Sequence, residues 1–129
     1  MSGRRDESLL LDDMADAVGH LIELGATVAD GCLGQDRALN EQILWNLIVL
    51  GEAAKRLARS TRERFPDVVW SDIAQTRDRI IHHYDGIDWL AVRRIIELDL
   101  PGLLPRLIQI RDALRAEFVA ADSIGSNEP

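Results

Sequence analysis

Cysteine, lysine and aromatic residues are all scarce in this chain of 129 residues, and each shortage narrows what it can be. The single cysteine, Cys32, forms neither an internal disulfide nor a paired Cys/His zinc set, which fits a reducing, cytoplasmic setting. Four prolines and nine glycines are too few for a collagen-like or low-complexity chain. Charges interrupt every apolar run well short of the ~18–20 residues of a membrane span, so no membrane association is expected. The opening residues carry two arginines but no apolar segment before Asp12 and Asp13, so no signal peptide is expected either. HExxH, a phosphate-cradling glycine loop, GxSxG and clustered metal ligands are missing, and with them any expectation of a resident metal or organic cofactor. Lys55 is the sole lysine among 15 cations, and the formal net charge is −7. That balance argues against a protein that coats nucleic acid nonspecifically. It leaves open an RNA-cutting enzyme, which needs only local cations at the scissile phosphate.

What the chain has in quantity is helical periodicity, with no sustained strand alternation. A first helix is expected from about Glu7 to Val28, with Leu10, Met14, Ala17, Leu21, Leu24 and Val28 on one stripe. The segment Asp30 to Asp36 breaks it with two glycines. A second helix is expected from about Arg37 to Arg64, with Ile43, Leu47, Leu50, Ala54 and Leu57 as its seam. Its Gly51 lets another helix approach closely, at about 1 kcal/mol of helix propensity. Pro66 ends that element and Asp67 is placed as the cap of a third helix through Trp70, Ile73, Ile80 and Ile81. Gly86 is assigned the left-handed position after it. Asp88 then caps a short fourth helix to Leu98, and Asp99 with Pro101 opens a fifth, through Leu103, Leu107, Ile110, Leu114 and Phe118. The reading is an all-α bundle of four to five helices, one domain over residues 1–119 with a loose polar tail over 120–129. The apolar supply is generous for so small a bundle, so a symmetric homodimer is expected.

Polar chemistry concentrates in Arg77-Asp78-Arg79-Ile80-Ile81-His82-His83-Tyr84. Asp78 and His82 are four residues apart and share a helix face, so the carboxylate is placed to hold the imidazole and favour its protonated form. Arg79 and His83 form a second such strip, and Arg77 and Tyr84, seven apart, are nearly aligned. Arg77 and His82 are five apart, roughly 140° around an ideal helix. They converge either on a ligand lying along the helix end or across a twofold axis between two copies. Glu52 either pairs with Arg56 one turn on or, beside Gly51, reaches the motif arginine. His20, Trp45, Trp70, Trp89 and Cys32 are given structural or bystander roles, the tryptophans as core or interface anchors.

Arg77-x4-His82-x-Tyr84 resembles the Arg-x4-His-x-Tyr motif of HepT-like toxins, in the HEPN superfamily of small helical ribonucleases. The resemblance extends to Asn46–Leu57, similar to the family's second-helix segment with its Gly51-Glu52-Ala53-Ala54-Lys55. It also takes in Trp70 before the motif and the stretch from Asp88 to Leu100-Pro101. What the resemblance implies is a homodimeric, metal-independent endoribonuclease of a type VII-like toxin–antitoxin pair, whose Arg and His line a cleft between protomers. Carried over, Arg77 and His82 are catalytic, Asp78 is the polar residue after the arginine, and Tyr84 accepts AMP. The implied partners are RNA and a minimal nucleotidyltransferase antitoxin, MntA-like, which silences the nuclease by AMP transfer. The alternative is a noncatalytic HEPN scaffold that binds and regulates such a transferase.

The chemistry suits these residues. RNA supplies its own nucleophile, the 2′-hydroxyl, so the protein need add only a proton shuttle and a cation for the phosphorane. Histidine titrates near neutral pH. Arginine stays charged and binds two phosphate oxygens at once.

Overall fold

The structure, a computed structural model of the chain, describes residues 6–28 and 33–126, with side chains to residue 122. The first five residues, and the Asp30–Cys32 part of the expected break with its lone cysteine, lie outside the described residues. Within them every regular element is helical: α1 (Ser8–Thr27), α2 (Arg37–Arg56), α3 (Arg59–Arg64), α4 (Trp70–His82), α5 (Trp89–Arg94) and α6 (Leu100–Ser126). A 3₁₀ turn, Tyr84–Gly86, follows α4, and a π-helical turn, Ile95–Asp99, joins α5 to α6 without a break. Counting that continuous rod once, four long helices and the short α3 make the expected all-α HEPN-type bundle.

Helix α1 packs on α2 on one side and α6 on the other, and α2 packs in turn on α4. The core follows from this order. Leu11, Met14, Val18 and Leu21 of α1 are fully buried, as are Ile43 of α2 and Leu107 and Ile110 of α6. The α2 seam of Ile43, Leu47, Leu50, Ala54 and Leu57 is buried throughout, as its spacing predicts. On α1 the stripe sits slightly round from the expected one: Leu11 and Val18 go fully inside, while Leu10 and Leu24 stay at its half-buried edge. Both neighbours of α1 demand apolar surface, which widens the stripe.

Several expected boundaries are corrected. The second helix does not run to Arg64 but stops at Arg56, with Leu57 and Ala58 extended before α3. Glu7, at the start of α1, explains the break: its Oε2 accepts from the Ala58 N–H at 2.6 Å, and its other oxygen accepts from the Thr61 hydroxyl. A carboxylate from another helix thus caps α3, whose own N-cap residue, Ala58, has no side chain able to do so. Asp67 caps nothing; Arg106 of α6 grips its carboxylate with Nε at 2.7 Å and Nη2 at 3.0 Å. Gly86 is not left-handed; it closes the 3₁₀ turn by donating to His83 O at 2.9 Å. Among the described residues the positive-φ glycine is Gly34, at +90°, where a Cβ would meet the Trp89 ring at 2.9 Å.

Asp88 does cap α5, accepting from the Ala91 N–H at 3.1 Å. No separate helix opens at Asp99, however. Pro101 lacks an N–H, and its ring would strike a carbonyl one turn back in a regular α-helix. Widening the preceding turn to the π form, with Leu100 N–H donating to Ile95 O, carries the rod past that point. The last helix runs on to Ser126, past Ala120 where the composition turns small and polar.

Candidate active site

Gly51 sets the position of α4. A Cβ there would lie 2.3 Å from Arg77 Cβ and 3.0 Å from Ile73 O, so only hydrogen leaves α4 its present distance from α2. The close approach expected of Gly51 is therefore made, and it is made at Arg77.

Around Arg77 the two helices assemble one charged network. Arg77 Nε lies 3.0 Å from Glu52 Oε2, and its Nη1 lies 3.0 Å from Asp78 Oδ1. The Glu52 contact is a bent ion pair, because this nearly buried Nε makes no regular hydrogen bond. Of the two partners open to Glu52, the motif arginine is the one it takes. Lys55 Nζ, one turn past Gly51, donates to the same Asp78 Oδ1 at 3.0 Å. The Lys55 hydrogen bond, then that from Arg77, holds the Asp78 carboxyl below the usual carboxylate range. Asp78 is thus an anion shared by two cations at neutral pH.

This corrects one expectation. Asp78 does not hold His82; its Oδ1 accepts instead from Lys55 of α2 and from its neighbour Arg77. His82 ends α4 exposed, and among the described residues its side chain makes no hydrogen bond or ion pair. Arg79 and His83, the second expected pair, are likewise not joined. Arg79 instead lines a groove of about 840 Å³ between α4 and the start of α6, together with Asp72, Asp99 and Arg106. His83 caps α4 through its backbone, donating to Arg79 O at 2.8 Å. Tyr84 lies just beyond the helix, in the 3₁₀ turn, and is 56% exposed.

The two helices that carry the network also present exposed apolar side chains. Ile81, one turn past Arg77, is 45% exposed, and Trp45, two turns before Glu52, is 65% exposed. The other tryptophans are accounted for within the chain: Trp70 is buried and donates to Phe65 O at 2.9 Å, and Trp89 covers Gly34. His20 is exposed beside a small cleft of about 430 Å³ between α1 and α2. Among the described residues no group of His, Cys, Asp and Glu is arranged to hold a metal ion, and no helix is long and apolar enough to cross a membrane. Lys55 is the member of the network that the sequence reading left without a role. Its signal was there: it sits four residues after Gly51, on the face that meets α4.

Comparison with known proteins places this arrangement in context. The model of the family described as ribonuclease HepT-like matches residues 14–110, which include the whole network. A protein of Methanocaldococcus jannaschii that is named an RNase is 26% identical over 100 residues, covering 78% of this chain and 92% of that one. A ribonuclease HepT by name from Thermococcus cleftensis is 24% identical over 108 residues, covering 84% and 98%. An RNase by name from Caldanaerobacter subterraneus subsp. tengcongensis is 31% identical over 83 residues, covering 64% and 71%. No solved structure matches.

Proposed function

The chain belongs to the ribonuclease HepT-like family, and from that premise we propose that it is a metal-independent endoribonuclease acting through Arg77 and His82. The supporting observation is a fixed, half-buried guanidinium on the same helix as an exposed imidazole five residues on, at the end of α4, that has no polar partner among the described residues. In this reading the 2′-oxygen of RNA attacks the adjacent phosphorus and the bond from phosphorus to the 5′-oxygen breaks. His82 serves the proton transfers: the 2′-hydroxyl gives up a proton and the departing 5′-oxygen gains one. Arg77 neutralises the charge that builds on the phosphoryl oxygens. The products are a 2′,3′-cyclic phosphate, or its hydrolysed form, and a 5′-hydroxyl.

In the same reading residues 1–119 are one HEPN domain and two copies pair, with Trp45 and Ile81 giving the contact its apolar content. The chain is the toxin of a two-component pair, and a nucleotidyltransferase partner silences it by moving AMP onto Tyr84. The exposed phenol just past α4 supports this last step, since an enzyme can reach it without unfolding the bundle.

The test is cleavage of RNA by the purified protein in EDTA, with the termini of the products identified. Cyclic phosphate and 5′-hydroxyl ends, lost when the nucleotide at the cut carries a 2′-deoxy sugar, are expected. Cleavage that EDTA stops overturns the metal-free chemistry. No cleavage, with a transferase bound and its activity altered, favours the noncatalytic scaffold.

A further inference from the structure

Asp78 Oδ1 is the point where two cations from different helices meet: Lys55 Nζ and Arg77 Nη1 each stand 3.0 Å from this one oxygen. An oxygen held by an ammonium and a guanidinium at that distance is in the setting a phosphoryl oxygen takes in a phosphate site. The carboxylate is not locked in place; the Lys55 and Asp78 side chains are each 40% exposed, so Asp78 can turn out to solvent. Arg77 cannot follow, being only 26% exposed, tied to Glu52 and wedged against Gly51.

We propose that Lys55 is a third substrate-binding residue of this site, and that Asp78 holds the place of a non-bridging oxygen of the RNA phosphodiester. The inference rests on the ribonuclease reading above and extends it to α2. When a strand arrives, its phosphate oxygen displaces the carboxylate and takes both cations. Both cations keep an anionic partner through the exchange, and the cost falls on the Asp78 carboxylate, which gives up its two donors for water. Lys55 then adds a point charge on a flexible stem to the planar fork of Arg77, and the two together grip the phosphate from two sides. Glu52 stays on Nε and keeps the guanidinium aimed.

The sole lysine makes the test clean, because a lysine-acylating reagent read at the peptide level reports on Lys55 alone. A short RNA with a 2′-deoxy sugar at the cut position should slow acylation of Lys55 several-fold in the unmodified protein. Inorganic phosphate at the same concentration should not. An unchanged acylation rate with RNA, or protection by phosphate alone, overturns the assignment whether or not the protein cuts RNA. In cleavage assays Lys55→Gln should lower kcat/KM about 10²-fold, the usual effect of removing one donor to developing charge. Lys55→Arg should recover most of that loss, with the thermal midpoint of both variants near that of the parent, since exposed ion pairs contribute little to stability. Asp78→Asn, which removes the competing anion, should lower KM for RNA. Parental kcat/KM in Lys55→Gln overturns the proposal and leaves the Arg77–His82 reading standing.

Discussion

Replacing Gly51 by alanine separates the stability of this bundle from the geometry of its site. The added methyl would sit 2.3 Å from Arg77 Cβ, 3.3 Å from its Cγ and 3.0 Å from Ile73 O. Carbon atoms rest about 3.5–4.0 Å apart, and no rotamer change moves a Cβ, so α4 must retreat by roughly 1.2 Å at Arg77. Two opposing effects set the stability change. Alanine gains about 0.8–1.0 kcal/mol over glycine in a helix interior, while overpacking costs about 1–3 kcal/mol. The net loss is about 0–2 kcal/mol, small enough for the bundle to remain folded. The site is less forgiving, since a displacement of about 1 Å can cost 10²-fold in rate. Gly51→Ala should therefore unfold at slightly lower denaturant while losing about two orders of magnitude in RNA cleavage. Gly19→Ala is the control: nothing lies within 4 Å of its new methyl, so it should gain about 0.4–1 kcal/mol and keep full activity. A Gly51→Ala protein as active as its parent and more stable would refute the claim that helix approach at this glycine places Arg77.

Glu7→Gln weakens the cross-helix cap on Ala58 and Thr61 and should cost about 1 kcal/mol in chemical denaturation; no change would mean that α3 holds its start unaided. Mixing a His82→Ala chain with an Arg77→Ala chain should restore part of the cleavage if Arg77 and His82 act across a twofold axis, whereas an active monomer by light scattering would contradict a shared cleft. Coexpression with a nucleotidyltransferase partner should add about 329 Da, one AMP, to the Tyr84 peptide, and Tyr84→Phe should stay active and escape silencing. An unmodified Tyr84 in a fully silenced complex would point to inhibition by binding alone.

The parts of the fold that local pattern controls were legible in the chain. The α2 seam follows from 3.6-residue spacing, the Asp88 cap from a local acceptor, and the tight crossing from Gly51 among small neighbours. What could not be read is what depends on partners distant in sequence. The stop after Arg56 depends on Glu7, and the fate of Asp67 on Arg106, each settled by which carboxylate the bundle brings near which donor. The continuous rod through Pro101 was hidden for another reason. A proline signals a boundary in local terms, and only the packing of Ile96 and Leu100 into the core keeps the helix going through a widened turn.

At the proposed site, the motif singles out Arg77, His82 and Tyr84 but says nothing of their company. Helical spacing alone gave Asp78 to His82, because those two are near in sequence. The structure gives it to Lys55, which α2 brings to 3.0 Å from Oδ1, and to the adjacent Arg77 at the same distance.

The central claim is that one arginine and one histidine cut RNA without metal. It is tested most directly by single-turnover cleavage of one RNA in EDTA by the parent, Arg77→Ala, His82→Ala and His83→Ala proteins, each shown folded by its helical signal. Full activity in the parent and in His83→Ala, with a loss of at least about 10²-fold in the other two, is what the account predicts. Cleavage that survives His82→Ala and disappears in His83→Ala would contradict it.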